Sequence, residues 1–238
     1  MTSSTQNLDI RRAEDRGRTR IGWLDSAHSF SFGHYFDPDR TSYRSLRVLN
    51  DDRVAPGAGF GEHGHDNMEI ITWVLEGALR HGDSLDNQRE LTPGEAQVMS
   101  AGTGIHHSEH NASGREGSHF LQVWIVPDRN GHEPRYDQRR FAPEGRYNRF
   151  QPIASGRGAQ GALPIHQDAD VLVADVTADA EIGYDLAEGR HAYLHVATGR
   201  VDLAGVGLSA GDAAVIDHPG AITLRGVEPG QAMLFDLA

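Results

Sequence analysis

The apolar residues of this chain fall in short runs, with glycines between them. There are 28 glycines in 238 residues. A chain punctuated in this way cannot hold a 3.6-residue period over the length of a helix, but it suits short strands joined by tight turns. The clearest strands are expected at 46–49, 68–76, 95–100, 120–126, 171–176, 192–197, 213–216 and 232–236. The stretch 54–60, with Pro56, Gly57 and Gly59, reads as a turn or loop. Residues 10–17 have room for one short helical turn at most. The expected class is all-β, as a sandwich or barrel.

A length of 238 residues suits one large or two small domains. Composition changes in the middle of the chain. From about Pro127 to Gly161 it is rich in Arg, Gly, Pro and Gln and poor in aliphatic residues. The expected division is a first β-domain at 1–130, a connecting segment at 131–162 and a second β-domain at 163–238. The two halves share a phrase, in LEGALRHGDSLDNQRELTPGEAQVMSAG from Leu75 and ATGRVDLAGVGLSAGDAAVIDHPG from Ala197. In each, a strand enters a glycine turn and a hairpin, and a second Gly-acid turn precedes another apolar strand. Such a pattern suggests duplication of one β-unit.

Several function classes are excluded or disfavoured. The chain has no cysteine, so disulfides, thiolate metal sites and cysteine nucleophiles are ruled out, and any metal must be held by nitrogen and oxygen. The net charge of -12 argues against direct contact with nucleic acid. Arg135, Arg139, Arg140, Arg146 and Arg149 are close in sequence but read as a solvated loop. No apolar run approaches the ~20 residues needed to span a bilayer. The polar opening MTSSTQNLDIRRAEDRG has no apolar core of a secretory signal, so a cytoplasmic location is expected.

Chemistry concentrates in two places. In GAGFGEHGHDNMEIITWVLEG (57–77), His63 and His65 are two apart. On a strand, residues i and i+2 share a face, so two imidazoles can reach one ion at about 2.0–2.1 Å. In GTGIHHSEH (102–110), His107 and Glu109 repeat that spacing. Strands that face each other would bring together three nitrogens and a carboxylate. His106 would point to the opposite face, and His110 to solvent. His191 and His195 are four apart, which on a strand is about 13 Å, too far for one ion. The second half is therefore expected to be metal-free.

The phrase GEHGHDNMEIITWVLEG resembles the first cupin motif, with Gly57, His63, His65 and Glu69 in place and Gly77 one residue late. PGEAQVMSAGTGIHHSEHN resembles the second motif more loosely. Ser100 stands for its proline, His107 comes two residues late, and Asn111 is in place. These departures resemble one cupin branch, the pirin family, which shows the run M-S-A-G-x-G-I-x-H-S-E, here Met99 to Glu109. WLDSAHSFSFGHYFDP, LRVLNDDRVAPGAGFG, LPIHQDADVLVADV and LAEGRHAYLHVATG also look like pirins, so the resemblance covers nearly the whole chain.

What the resemblance implies is a bicupin: two consecutive jelly-roll-like cupin barrels facing each other, with one metal in the first. Carried over residue by residue, the ligands are His63, His65, His107 and Glu109. Glu69 occupies the usual cupin glutamate position, where it could orient a ligand or accept a proton. Three imidazoles and a carboxylate suit iron(II), the first expectation, and equally admit Mn, Co, Ni, Cu or Zn. The family resemblance implies a quercetin 2,3-dioxygenase-like enzyme that opens a flavonol with O2 and releases carbon monoxide. Glu109, or failing that Glu69, would be the base. The alternative is a metal-containing regulator that binds a transcriptional or metabolic protein partner. An enzyme needs an apolar cavity of several hundred Å3, which Phe60, Met68, Trp73 and Phe120 could line. The family suggests a monomer.

Overall fold

A computed structural model describes residues 8–238. Residues 1–7, part of the opening read as lacking a secretory signal, lie outside the described residues. Among the described residues, the regular secondary structure is almost wholly β-strands. In order they are β1 (Asp9–Arg11), β2 (Gly17–Ile21), β3 (Leu24–His28), β4 (Leu46–Val54), β5 (Gly59–His65), β6 (Glu69–Glu76), β7 (Leu79–Asp83), β8 (Gln88–Leu91), β9 (Glu95–Ser100), β10 (Ile105–Asn111), β11 (Ser118–Ile125) and β12 (Arg135–Arg140). Then follow β13 (Gln151–Ser155), β14 (Leu163–Pro164), β15 (Ala169–Val176), β16 (Glu181–Leu186), β17 (His191–Leu203), β18 (Val206–Ser209), β19 (Ala213–Ile216) and β20 (Gly220–Leu237). The α-helix, α1 (Pro143–Arg146), has four residues. Among the described residues, no helix is long and apolar enough to cross a membrane.

The strands form two compact units, each all-β. One comprises 16–142 and 153–168; the other comprises 143–152, 169–238 and, of the start of the chain, the described residues 8–15. In the first, a seven-stranded sheet of order β12-β9-β6-β11-β4-β3-β2 accompanies a four-stranded sheet of order β5-β10-β7-β8. The central strands β6 and β11 are buried along most of their length, which is why EIITWVLE and SHFLQVWI read as near-continuous apolar runs. Leu24, Val54, Val74, Leu79, Leu91 and Phe120 form one apolar cluster of this unit. In the second unit, β17 pairs with β20, β19 and β18, while β15 and β16 pair with β20. Leu172, Leu194, Val196 and Leu234 lie in its core.

Of the segments that differ from the sequence expectation, three share a common reason. β4 runs on from Leu49 through Asn50, Asp51 and Asp52 to Val54. β3, with the sequence LDSAH, was not expected. β12, RYDQRR, lies within 131–162. Polar strands lack the apolar alternation that identifies a strand, and here pairing with neighbours supplies what local propensity does not. The repeated phrase has a structural counterpart in its first glycines, although Gly199 lies within β17 and not in a turn. Gly77 and Gly199 both adopt φ of 72°, and a side chain at either would run into the backbone of another segment, Gly117–Ser118 in the first case and Pro229–Gly230 in the second.

Candidate metal centre and its cavity

β5 and β10 are antiparallel neighbours, with His63 directly opposite His107 and His65 opposite Ile105. The register shifts between His107 and Glu109, because Glu109 pairs with Phe60. That bulge needs glycine at position 59, where a Cβ would collide with the Glu109 and His110 backbone. His63 and His65 share a strand face, as their spacing predicts, and the cross-strand pair brings His107 to them. The ring centroids lie 4.7 Å (His63–His65), 4.5 Å (His63–His107) and 4.9 Å (His65–His107) apart. One ligand atom from each of the three lies within 4.8 Å of the others. A second set, sharing His107, joins it to His81 and Glu109 at the same spacing.

The donors fit a cation. His107 is buried, and neither of its ring nitrogens has a hydrogen-bond partner. Such an omission is costly unless something else satisfies the ring. His63 Nδ1 lies 2.8 Å from the Gly61 carbonyl, an arrangement that makes Nδ1–H the donor and leaves Nε2 with its lone pair. Burial first, then the neighbouring His107 and His63, holds His65 down at about 4. Burial, with His63 and His81 adding to it, holds His107 at about 3. Both rings are therefore neutral near pH 7, the form that binds metal.

Glu109 is buried and clamped. Gln97 Nε2 donates to its Oε1 at 2.6 Å, and Gln122 Nε2 donates to its Oε2 at 2.6 Å. Gln97 also donates to Thr72 Oγ1 (2.9 Å), and Thr72 donates to Gln122 Oε1 (2.7 Å). Tyr136 donates to Gln97 Oε1 (3.2 Å), which orients the amide. Register explains this network. Gln97, Thr72 and Gln122 lie opposite one another on β9, β6 and β11, so three amide and hydroxyl side chains converge on one carboxylate.

Glu69 does not join this group. It precedes Thr72 by three on β6, so its side chain takes the opposite face. There Ser100 donates to its Oε2 (2.7 Å), and His166 Nδ1 lies 3.0 Å from Oε1. His106 and His110 are exposed, as their parity predicts. His191 Nδ1 sits 2.8 Å from Asp217 Oδ1, and His195 is buried on the same strand.

A cavity of about 320 Å3 opens beside the cluster, with His63, His65 and Glu109 in its wall. Phe32, Phe60, Trp124, Ile21 and Leu24 supply apolar surface, while Ser26, Asn50, Asp52 and Gln122 supply polar groups. Trp124 sits edge-on to His65 at 4.8 Å. Of the apolar residues expected from sequence to line a cavity, Phe60 does so. Trp73 and Phe120 are buried in the core, and Met68 borders a different hollow. Sequence reasoning missed His81, whose Nε2 contacts Asp83 (2.9 Å) and whose ring stacks on Tyr136. It also missed the polar wall on β3 and β4. The available signal was His81-x-Asp83 for the one and consecutive polar residues after an apolar strand start for the other.

Comparison with known proteins agrees with this geometry. The Pirin family pattern matches residues 10–125, and that of the quercetinase C-terminal cupin domain matches 152–237. The chain is 42% identical to the Escherichia coli K12 protein named quercetin 2,3-dioxygenase over 229 residues, 96% of this chain and 97% of that one. It is 40% identical to a pirin-like protein of Caulobacter vibrioides over 232 residues, 97% of this chain and all of the other. Among solved structures, the bacterial pirin YhhW of E. coli in complex with nickel(II) matches with a TM-score of 0.91 at 42% identity, covering 97% and 98% of the two chains. The metal-ligand spacing, the two all-β units and these full-length matches lead to one conclusion: this chain belongs to the pirin family of cupin proteins and has the bicupin fold.

Proposed function

We propose that this protein is a metal-dependent dioxygenase of the pirin type, acting with O2 on quercetin or a related flavonol, opening its ring and releasing carbon monoxide. The observation that carries the reading is the convergence of His63, His65 and His107 beside an apolar-walled cavity. His63, His65, His107 and Glu109 would hold one divalent ion. That ion would supply Lewis acidity toward a substrate oxygen and, if redox-active, a route for dioxygen chemistry. Support also comes from the name of the 42%-identical E. coli relative and from the nickel(II) in the related crystal structure.

The chain's own residues divide the remaining work. Trp124, Phe60 and Phe32 present aromatic surface to a flat ring system and keep water from it. Gln97, Thr72 and Gln122 hold Glu109 in one orientation. A proton leaving the substrate hydroxyl would be taken at Glu109 Oε2, for which Gln122 is the one donor among the described residues. Oε1 faces both Gln97 and Thr72. A regulator needs no such hollow, so the cavity favours the enzyme over the protein-binding alternative. The test is oxygen uptake with quercetin, using protein stripped and reloaded anaerobically with Fe(II), Mn(II), Co(II), Ni(II) or Cu(II). Metal-dependent uptake that His107→Ala lacks is the expected result. No uptake with any ion at full loading would refute the flavonol dioxygenase.

A further inference from the structure

The wall of the cavity on the seven-stranded sheet is polar in a way the metal centre does not require. The ligands stand on β5 and β10 of the four-stranded sheet, whereas Ser26, His28, Asn50 and Asp52 stand on β3 and β4 of the other. Cross-strand register sets that wall: Gln122 lies opposite Asn50, which lies opposite His28, and one step along Asp52 lies opposite Ser26. Asn50 and Asp52 are two apart on β4 and so share the cavity face, while Asp51 between them turns away toward His119 and Arg16.

All four side chains are buried, at 1–3% exposure, and all four line the cavity. Their bonds to protein are few. Ser26 donates to Asp52 Oδ1, and His28 Nδ1 lies 2.8 Å from Asn50 Oδ1, with Thr19 Oγ1 2.8 Å from its Nε2. Among the described residues, Ser26 is the one hydrogen-bond partner of Asp52, and His28 the one partner of Asn50. One carboxyl oxygen and one amide NH2 therefore remain to bond whatever occupies the cavity. The Trp124 indole N–H, also on this cavity, has no partner either. Burial, opposed by the Ser26 bond and reinforced by Asp51 and Glu109, pushes the Asp52 carboxyl up to about 7. Near neutrality it can thus donate as well as accept.

We infer that Asp52, positioned by Ser26 and flanked by Asn50, recognises a second oxygen of the substrate, a hydroxyl remote from the oxygens that engage the His63, His65 and His107 centre. The inference rests on the flavonol reading above and narrows it: the substrate is a polyhydroxylated aromatic, held at one end by the metal centre and at the other by β4. A buried site built to bond a hydroxyl discriminates against an analogue that lacks it, because its own polar groups are then left unpaired.

The experiment compares anaerobic affinities for two flavonols in the nickel(II)-loaded protein, read by quenching of tryptophan fluorescence. One flavonol carries the 3-hydroxyl alone, and the other carries further ring hydroxyls. The wild type is expected to prefer the polyhydroxylated compound by about 10- to 100-fold. Asp52→Leu, which keeps the side-chain shape, should bring that ratio close to one. It should leave metal content and affinity for the 3-hydroxyl compound within about threefold. Ser26→Ala should reduce the ratio in the same direction and serves as the deciding variant if Asp52→Leu does not fold. A ratio that persists in the variants, or a wild type without preference, overturns the role of Asp52 while leaving the flavonol reading intact. A loaded wild type that binds neither compound overturns both.

Discussion

Replacing Gln97 by leucine tests whether the buried carboxylate of Glu109 belongs to the metal centre. Gln97 is fully buried, and its amide donates to Glu109 Oε1 at 2.6 Å and to Thr72 at 2.9 Å. Leucine keeps most of the volume and removes both donors. Thr72 still has Gln122 as acceptor, and Tyr136 still reaches Gln138 at 3.0 Å, so few polar groups are orphaned. What Glu109 itself loses is one hydrogen bond to a carboxylate, about 1.5–3 kcal/mol. If Glu109 is a ligand, that loss weakens metal affinity by about 10- to 100-fold, the range typical of side chains that orient metal ligands. The assay is competition for nickel(II) against a chromophoric chelator, with thermal unfolding of the metal-free protein alongside. A dissociation constant within about threefold of wild type, in a folded variant, would refute the argument and leave the three histidines to bind without the carboxylate.

Further predictions concern the ligands, the bulge and pH. His107→Ala is expected to abolish metal binding and leave a folded chain, whereas His191→Ala and His195→Ala should leave metal content unchanged. Elemental analysis of purified protein separates the cases, and a second equivalent lost with either of the latter would overturn the single site. Gly59→Ala forces a Cβ against the backbone of Glu109 and His110, so it should cost about 1–3 kcal/mol of stability and weaken metal binding although no ligand changes; unchanged chelator competition would show that the bulge does not position Glu109. In the metal-free protein, His65 and His107 sit near 4 and 3 rather than 6.5. The stability linked to their neutral form is present above pH 6.5 and is lost as pH falls through that window. Asp52 has the opposite sign: raised from 3.8 to about 7, it contributes stability below 3.8 that is lost as pH rises through 7. Asp52→Asn should therefore gain melting temperature relative to wild type at pH 8 compared with pH 4, and a difference independent of pH would count against a raised Asp52.

The amino-acid sequence by itself determined the all-β class, the absence of thiol chemistry and the identity of the histidine cluster. These are local properties. Apolar runs and glycine turns act over a few residues, and the i, i+2 parity of a strand puts His63 beside His65 whatever the remainder of the chain does. Tertiary structure decided the rest. Only the pairing of β5 with β10 sets His107 opposite His63, and only the assembly of β9, β6 and β11 brings the amides of Gln97 and Gln122 to Glu109. Glu69 and Glu109 look equally eligible in a motif, but strand parity and the Ser100 and His166 contacts separate them. The polar wall was the least legible feature. Asn50 and Asp52 contradict local strand propensity, and their burial depends on β3 and β11, far away in sequence, closing over β4 from either side. A side chain whose environment is made by distant strands carries no short-range signature, so the face of the cavity that meets the substrate could be read only after the sheet was assembled.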